Sequence, residues 1–188
     1  MLVEGYHGTA TSAAKSIIAT KFNESNGPEH WLGKGVYFFV SGISDPEEDA
    51  TNWAKAQAWD NVNKQNRYND YSVLRCEVNL SDNELLDLTI PAAVTRFNDA
   101  KTKLLDRIFS KRKNFRYVSP AEQSCMLFSY MVTFMGVHAV RHYLYIKPIP
   151  ERVLQLILNV PNTTVLCVSE AKCNTSKPEI VKEGKVNE

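Results

Sequence analysis

The sequence predicts an α+β fold: a sheet core with flanking helices and a helical insertion in the middle of the chain. Three observations carry it. Strand-like and helix-like segments alternate along the first half, the middle reads as two amphipathic helices, and two apolar strands follow near the end. The 188 residues, 44% of them apolar, suffice for one well-buried domain and not for a second. That domain is placed at 1–173, with the insertion at about 91–137 and a loose, mostly polar tail at 174–188.

Each element has its own signal. Leu2 to His7 reads as a short strand, and Ser12 is placed to cap a helix whose Ala13, Ala14, Ile17 and Ile18 share one face. The chain then loops through Asn23 to His30 before a strand at Gly35 to Val40. Asp45-Pro46-Glu47-Glu48-Asp49 supplies an N-cap, a proline at the first helical position and acids facing the positive helix end. The helix it opens is expected to reach about Asn63, with Ala50, Trp53, Ala54 and Ala58 on one face. Tyr71 to Leu80 alternates, placing Leu74, Cys76, Val78 and Leu80 opposite Arg75, Glu77 and Asn79 as in a half-buried strand. Pro91 to about Ser110 repeats apolar residues at helical spacing, and Ser119-Pro120-Ala121-Glu122 is a capping box opening a more apolar helix. His138 to Ile146 and Thr163 to Val168 read as closing strands, with Pro148 and Pro150 interrupting between them.

Composition narrows the function classes. With 22 basic and 21 acidic residues the net charge is +1, so whole-chain electrostatics favour no partner and any charge signal is local. The four cysteines, Cys76, Cys125, Cys167 and Cys173, form no Cys-x-x-Cys pair, and the first residues do not read as a charged-then-apolar leader. Reduced thiols in a cytoplasmic protein with no metal are therefore expected. The apolar run from Ala121 to Val137 is too short and too polar to span a bilayer, so no membrane partner is expected.

The chemistry-bearing residues concentrate in the first third: Tyr6-His7-Gly8-Thr9, then Leu32-Gly33-Lys34-Gly35-Val36-Tyr37-Phe38-Phe39, then Asn52-Trp53-Ala54. A His-Gly-Thr at a strand end sets an imidazole beside an unencumbered backbone, which suits a ligand carrying hydroxyls and an amide. Gly33 and Gly35 turn the chain into a strand from which Tyr37 presents a flat face with a polar tip. Taken singly, each block also fits an ordinary turn, and Tyr37 and Trp53 also fit core aromatics. His30, His138 and His142 have no ligand-like partners in sequence and read as structural or exposed.

In combination and order, these blocks resemble the diphtheria-toxin-like branch of the ADP-ribosyltransferase superfamily, which includes the poly(ADP-ribose) polymerase catalytic domain. His7-Gly8, Gly33-Lys34-Gly35-Val36-Tyr37-Phe38 and Asn52-Trp53 match the family's first three features. Ala139-Val140-Arg141 and Thr164-Val165-Leu166-Cys167-Val168 resemble small bacterial and phage-type members. The resemblance covers the front third well and the last quarter loosely. It implies a split mixed or antiparallel β-sheet core around a cleft for NAD, used as co-substrate. His7, Gly8, Thr9, Gly35, Tyr37, Phe38 and Trp53 are the implied NAD-binding residues. Among them, Gly8 would pair its backbone with the carboxamide, His7 would meet a ribose hydroxyl, and Tyr37 and Trp53 would clamp the nicotinamide ring. Cleaving the nicotinamide–ribose bond builds positive charge on the sugar, as in glycoside hydrolysis, so positioning and nearby negative charge both contribute.

One departure shapes the implied reaction. Where the family often carries a late-strand glutamate, this chain has Thr164 or Val165, depending on register; Thr164 and Glu170, beside His7 and Tyr37, are the catalytic candidates. Glu151 sits in a proline-bounded turn. Members without the glutamate usually transfer one ADP-ribose unit, so the resemblance implies a mono-ADP-ribosyltransferase acting on a protein or nucleic acid. A toxin or effector role is one implied setting, in which an antitoxin or inhibitor would be a partner. The basic run Lys101, Lys103, Arg107, Lys111, Arg112, Lys113 and Arg116, with Phe115 and Tyr117 interleaved, fits a nucleic-acid contact as well as a solvated helix face. A catalytically inactive module binding NAD or ADP-ribose, and an NAD-using RNA 2'-phosphotransferase, remain the alternatives.

Overall fold

The computed structural model describes residues 1–24, 30–111, 119–156, 158, 160–169 and 173–187. Its core is an eight-stranded sheet. In chain order the larger elements are β1 (Leu2–Ala10), α1 (Thr11–Ala19), β2 (Val36–Val40), α2 (Pro46–Ala58), a small ribbon of β3 (Trp59–Asp60) and β4 (Gln65–Asn66), β5 (Asp70–Asn79) and β6 (Leu85–Asp87). Then follow α3 (Pro91–Lys111), α4 (Pro120–Met135), β7 (Ala139–Leu144), α5 (Ile149–Val153), β8 (Thr163–Val168), β9 (Asn174–Thr175) and β10 (Glu179–Lys185). The strand order is β10-β5-β1-β2-β8-β7-β6, with β9 alongside β5; every pairing is antiparallel except β6 with β7. The fold is thus α+β around a mixed sheet.

Both faces of the sheet are covered, which is why several strands read as apolar without alternation. One cluster holds Phe39, Ala50, Ala54, Val73, Phe97, Met131, Val140 and Val165 under α2, α3 and α4. The other holds Ala14, Phe22, Val36, Phe38, Leu74, Cys76, Leu166 and Val168 under α1. The predicted caps of the two strongest helices are present. Asp45 accepts hydrogen bonds from the Glu47 and Glu48 amides at 2.9 and 3.1 Å, and Ser119 and Glu122 close a reciprocal box.

Four expectations need correction. Ser12 caps nothing: α1 begins at Thr11, whose hydroxyl instead hydrogen-bonds with Ser72 Oγ at 2.9 Å. Helix α2 stops at Ala58 rather than near Asn63, because Asp60 folds back to accept from the Val62 and Asn63 amides and starts a turn. Strand β5 alternates only in its second half, since Tyr71, Ser72, Val73 and Leu74 are all buried. The expected loose tail at 174–188 includes two strands. β10 lies along β5 from Asp70 to Arg75, with Arg75 paired to Glu179 and Ser72 Oγ donating to Glu183 at 3.1 Å. An edge strand needs ladder partners more than apolar residues, and charge on its outer side blunts further pairing.

Candidate active site at the split between β1 and β2

The central feature is an unequal pairing. β1 is paired to β5 along its whole length, from Leu2↔Asn79 to Ala10↔Tyr71. Against β2 it makes only two rungs, Gly5↔Val40 and Tyr6↔Phe39, and the ladder stops there. At His7, Gly8 and Thr9 the edge of β1 that faces β2 has no ladder partner among the described residues. A pocket of about 160 Å³ opens at this point, lined by His7, Asn23, His30, Trp31, Gly35, Val36, Tyr37, Phe38, Phe39, Trp53 and Val165.

His7 spans the split in place of the missing rung. Its Nδ1 lies 2.9 Å from the Tyr37 carbonyl oxygen. A carbonyl only accepts, so Nδ1 carries the proton and donates. Burial pushes the imidazole's pKa down, opposed by that hydrogen bond. A neutral ring protonated on Nδ1 leaves Nε2 as a lone-pair acceptor. The edges of Phe22 and Phe38 pack on the ring at 5.4 and 6.3 Å and fix its plane.

Tyr37 uses its two ends differently. The hydroxyl donates to the Gly33 carbonyl at 2.6 Å and accepts from the Leu32 amide at 3.0 Å, so it ties down the preceding turn. Burial holds that phenol far above its ordinary pKa, leaving the ring face as its contribution to the pocket. The turn is also seated from below: Gly33 adopts φ +89°, and the Lys34 amide donates to Ser129 Oγ of α4 at 3.3 Å. Trp53 enters from α2 with Trp31 edge-on at 5.1 Å, and His30 is tilted against Tyr37 at 5.7 Å.

Gly8 is tight for a reason the sequence does not reveal. A Cβ there would lie 1.8 Å from the Ala50 carbonyl oxygen, so the close approach is that of α2 and not of a ligand. Only the backbone edge of Gly8 is left for a ligand. Gly35 likewise admits β8, where a Cβ would meet the Val168 carbonyl at 2.6 Å. Thr9 sits partly buried at the end of β1 opposite Ser72.

The remaining candidates separate. Thr164 is buried on the far face of β8 with Leu166 and Val168, and its Oγ1 accepts from the Ile43 amide at 3.2 Å. It supports the turn before α2 and stands apart from His7 and Tyr37. The residues of β8 on the cleft side are Thr163, Val165 and Cys167, and burial pushes the Cys167 thiol up to about 12. Glu170 lies outside the described residues. Glu151 on α5 accepts from the Tyr145 hydroxyl. Of the basic run, Lys101 stands over Phe97 at 5.8 Å and Arg107 over Phe134 at 5.2 Å, stems laid along the α3–α4 scaffold. The Lys111 side chain and residues Arg112, Lys113 and Arg116, with Phe115 and Tyr117, lie outside the described residues.

Sequence reasoning missed two groups. His30 and Trp31 come from a loop without a motif, yet both line the cleft. Beyond Phe39 and Trp53 a second pocket of about 290 Å³ is lined by Asp49, Asn52, Lys147, Asn162 and Thr163, with Ile146, Pro148, Ile149 and Pro150 as its apolar rim. Asp49 Oδ2 accepts from both Ser44 and Thr163 hydroxyls, and burial raises its pKa. Its signal was present, but an acid in the first turn of a helix reads as dipole stabilisation. Among the described residues no cluster of three or more His, Cys, Asp or Glu could hold a metal ion, and no helix is long and apolar enough to cross a membrane.

No family model matches the chain. An uncharacterized protein of Methanocaldococcus jannaschii is 31% identical over 86 residues, which is 45% of this chain and 36% of that protein. The chain thus spans little more than a third of the length of the curated relative it matches.

Proposed function

We propose that the protein is a mono-ADP-ribosyltransferase that binds NAD at the split between β1 and β2, releases nicotinamide and transfers ADP-ribose to a macromolecule. The observation that carries this reading is the His7 bridge. A histidine fixed in the tautomer that offers Nε2 as an acceptor, at the mouth of an aromatic slot, suits a ribose hydroxyl attached to a flat ring. The nicotinamide ring would stack between Tyr37 and Trp53. Its carboxamide would pair with the backbone edge of Gly8, which β2 leaves open. Phe38 and Gly35 shape the walls rather than supply charge, and Thr9 does not line the pocket.

This arrangement favours bond cleavage by positioning. The slot holds the leaving group while His7 fixes the ribose, so that the C1′–N bond is the one exposed to the neighbouring pocket. Val165 on the cleft side of β8 supplies no carboxylate, which favours transfer of single units over chain growth. The test is incubation of the purified chain with radiolabelled NAD and a cell lysate. Free nicotinamide together with label on protein or RNA is the expected result; neither product, in the presence of saturating NAD, contradicts the reading. Bound NAD without either product would identify a binding module instead.

A further inference from the structure

We infer that Asp49 provides the catalytic carboxylate of this site, delivered from helix α2 and held in place by the late strand. The inference rests on the reading of the β1–β2 split as an NAD cleft. The strand position that faces the neighbouring pocket is Thr163, not an acid, and its hydroxyl is spent on Asp49 Oδ2. Ser44 donates to the same oxygen from the turn before the helix. Both hydroxyls act as donors, so the anion is the form they stabilise. Two grips from different elements fix one carboxylate, while Glu47 and Glu48 on the same helical turn belong to an open surface groove outside both pockets.

Helical spacing places that carboxylate where the chemistry would need it. Asp49 and Trp53 are four residues apart on α2, hence one turn apart on the same face, with Cβ atoms about 5–6 Å from each other. A nicotinamide ring against Trp53 therefore sets its ribose beside Asp49. Asn52 and Lys147 line the same space and can orient hydroxyls, while the Asn162 amide is held by the Ile146 backbone, accepting from its amide at 2.8 Å and donating to its carbonyl at 2.9 Å. In the step, the C1′–N bond of the nicotinamide ribose breaks and its electron pair goes to the ring nitrogen, releasing neutral nicotinamide. A hydroxyl or nitrogen nucleophile of the acceptor forms the new bond to C1′. Its proton passes to Asp49 and from there to water. Before the nucleophile arrives, the same carboxylate stabilises the cationic sugar.

The experiment uses the full chain with NAD and a lysate as acceptor source, comparing wild type with Asp49→Asn and with the double variant Asp49→Asn, Thr163→Glu. NAD affinity is read by calorimetry and nicotinamide release by chromatography. Asp49→Asn is expected to bind NAD within about threefold of wild type and to release nicotinamide at least about 100-fold more slowly. Adding Thr163→Glu, which restores a carboxylate from the strand side, is expected to recover about tenfold or more of the loss. Asp49→Ser keeps a hydrogen-bonding partner for Ser44 and Thr163 and repeats the comparison if the amide disrupts folding. Wild-type release by folded Asp49→Asn or Asp49→Ser, or no recovery on adding Thr163→Glu to Asp49→Asn, overturns the role of Asp49 and leaves the NAD cleft standing. A wild-type protein that binds no NAD overturns both.

Discussion

Two pockets meet at Phe39 and Trp53 and differ in nearly every other wall. The one at the strand split is aromatic and apolar apart from its imidazoles and Asn23, with His7 held neutral inside it. The one beside it carries a carboxylate, two amides, an ammonium group and a threonine hydroxyl. A planar ring is held by stacking and shape, whereas developing charge and a moving proton need polar groups in fixed places. On the proposed reading, binding and bond cleavage fall on different walls, and α2 supplies a residue to each: Trp53 to both and Asp49 to the second. The contrast teaches that the carboxylate missing from the strand need not be missing from the site.

The largest expected effect removes the contrast altogether. Gly8→Ala drives a Cβ into the Ala50 carbonyl, so α2 must lift from β1 and both pockets lose a wall. The expected cost is about 3 kcal/mol or more, read as a fall in thermal midpoint together with loss of NAD binding. A variant that melts and binds like wild type would refute the tight seating of α2. His7→Ala sharpens the contrast instead, by touching one pocket only. NAD affinity should fall about tenfold, near 1.4 kcal/mol, while a folded protein remains. Unchanged affinity would remove His7 from the site.

The same histidine gives a pH signature. Burial depresses its pKa, so in the folded protein it stays neutral where a free histidine begins to protonate. NAD affinity is expected to be flat from pH 8 down to about 6.5 and to weaken only below that, with His7→Ala abolishing the decline. The unfolded chain takes up the proton first, so stability from this group is complete above about pH 6.5 and is lost as pH falls toward the depressed value. His142, whose pKa is also lowered by burial, acts in the same direction, so the stability profile is to be read against His7→Ala.

Smaller effects separate scaffold from surface. Tyr37→Phe keeps the ring but frees Leu32 and Gly33, at an expected cost of about 1–3 kcal/mol in denaturant unfolding and little change in NAD affinity. A large affinity loss would mean that the hydroxyl meets the ligand. Asp45→Ala removes only the α2 cap, costing about 1 kcal/mol and leaving affinity and turnover as they were. If turnover falls with it, the acids of this helix act together and Asp49 is not distinct.

Local signals carried the fold further than the site. The Asp45 cap, the Ser119 box and the strand at Thr163–Val168 were legible because each is written in adjacent residues. Strand β10 was not, since an edge strand of mixed polarity looks like tail until β5 is beside it. Within the site, His7, Tyr37 and Trp53 were readable as motifs and do line one pocket. Thr164 lies one position from the cleft side of β8: a shift of one along a strand exchanges faces, and nothing in the sequence says whether 163 or 164 looks at the cleft. His30 and Trp31 depend on where a loop folds across the strands, and Asp49 on a contact with a strand 114 residues away.

The central claim is that NAD lies across the split with its ring in the aromatic slot. A crystal structure of the protein soaked with NAD tests it most directly. The predicted result is nicotinamide between Tyr37 and Trp53, a ribose hydroxyl within hydrogen-bonding distance of His7 Nε2 and the carboxamide on the Gly8 backbone. An empty split, with NAD bound elsewhere or not at all, would contradict it.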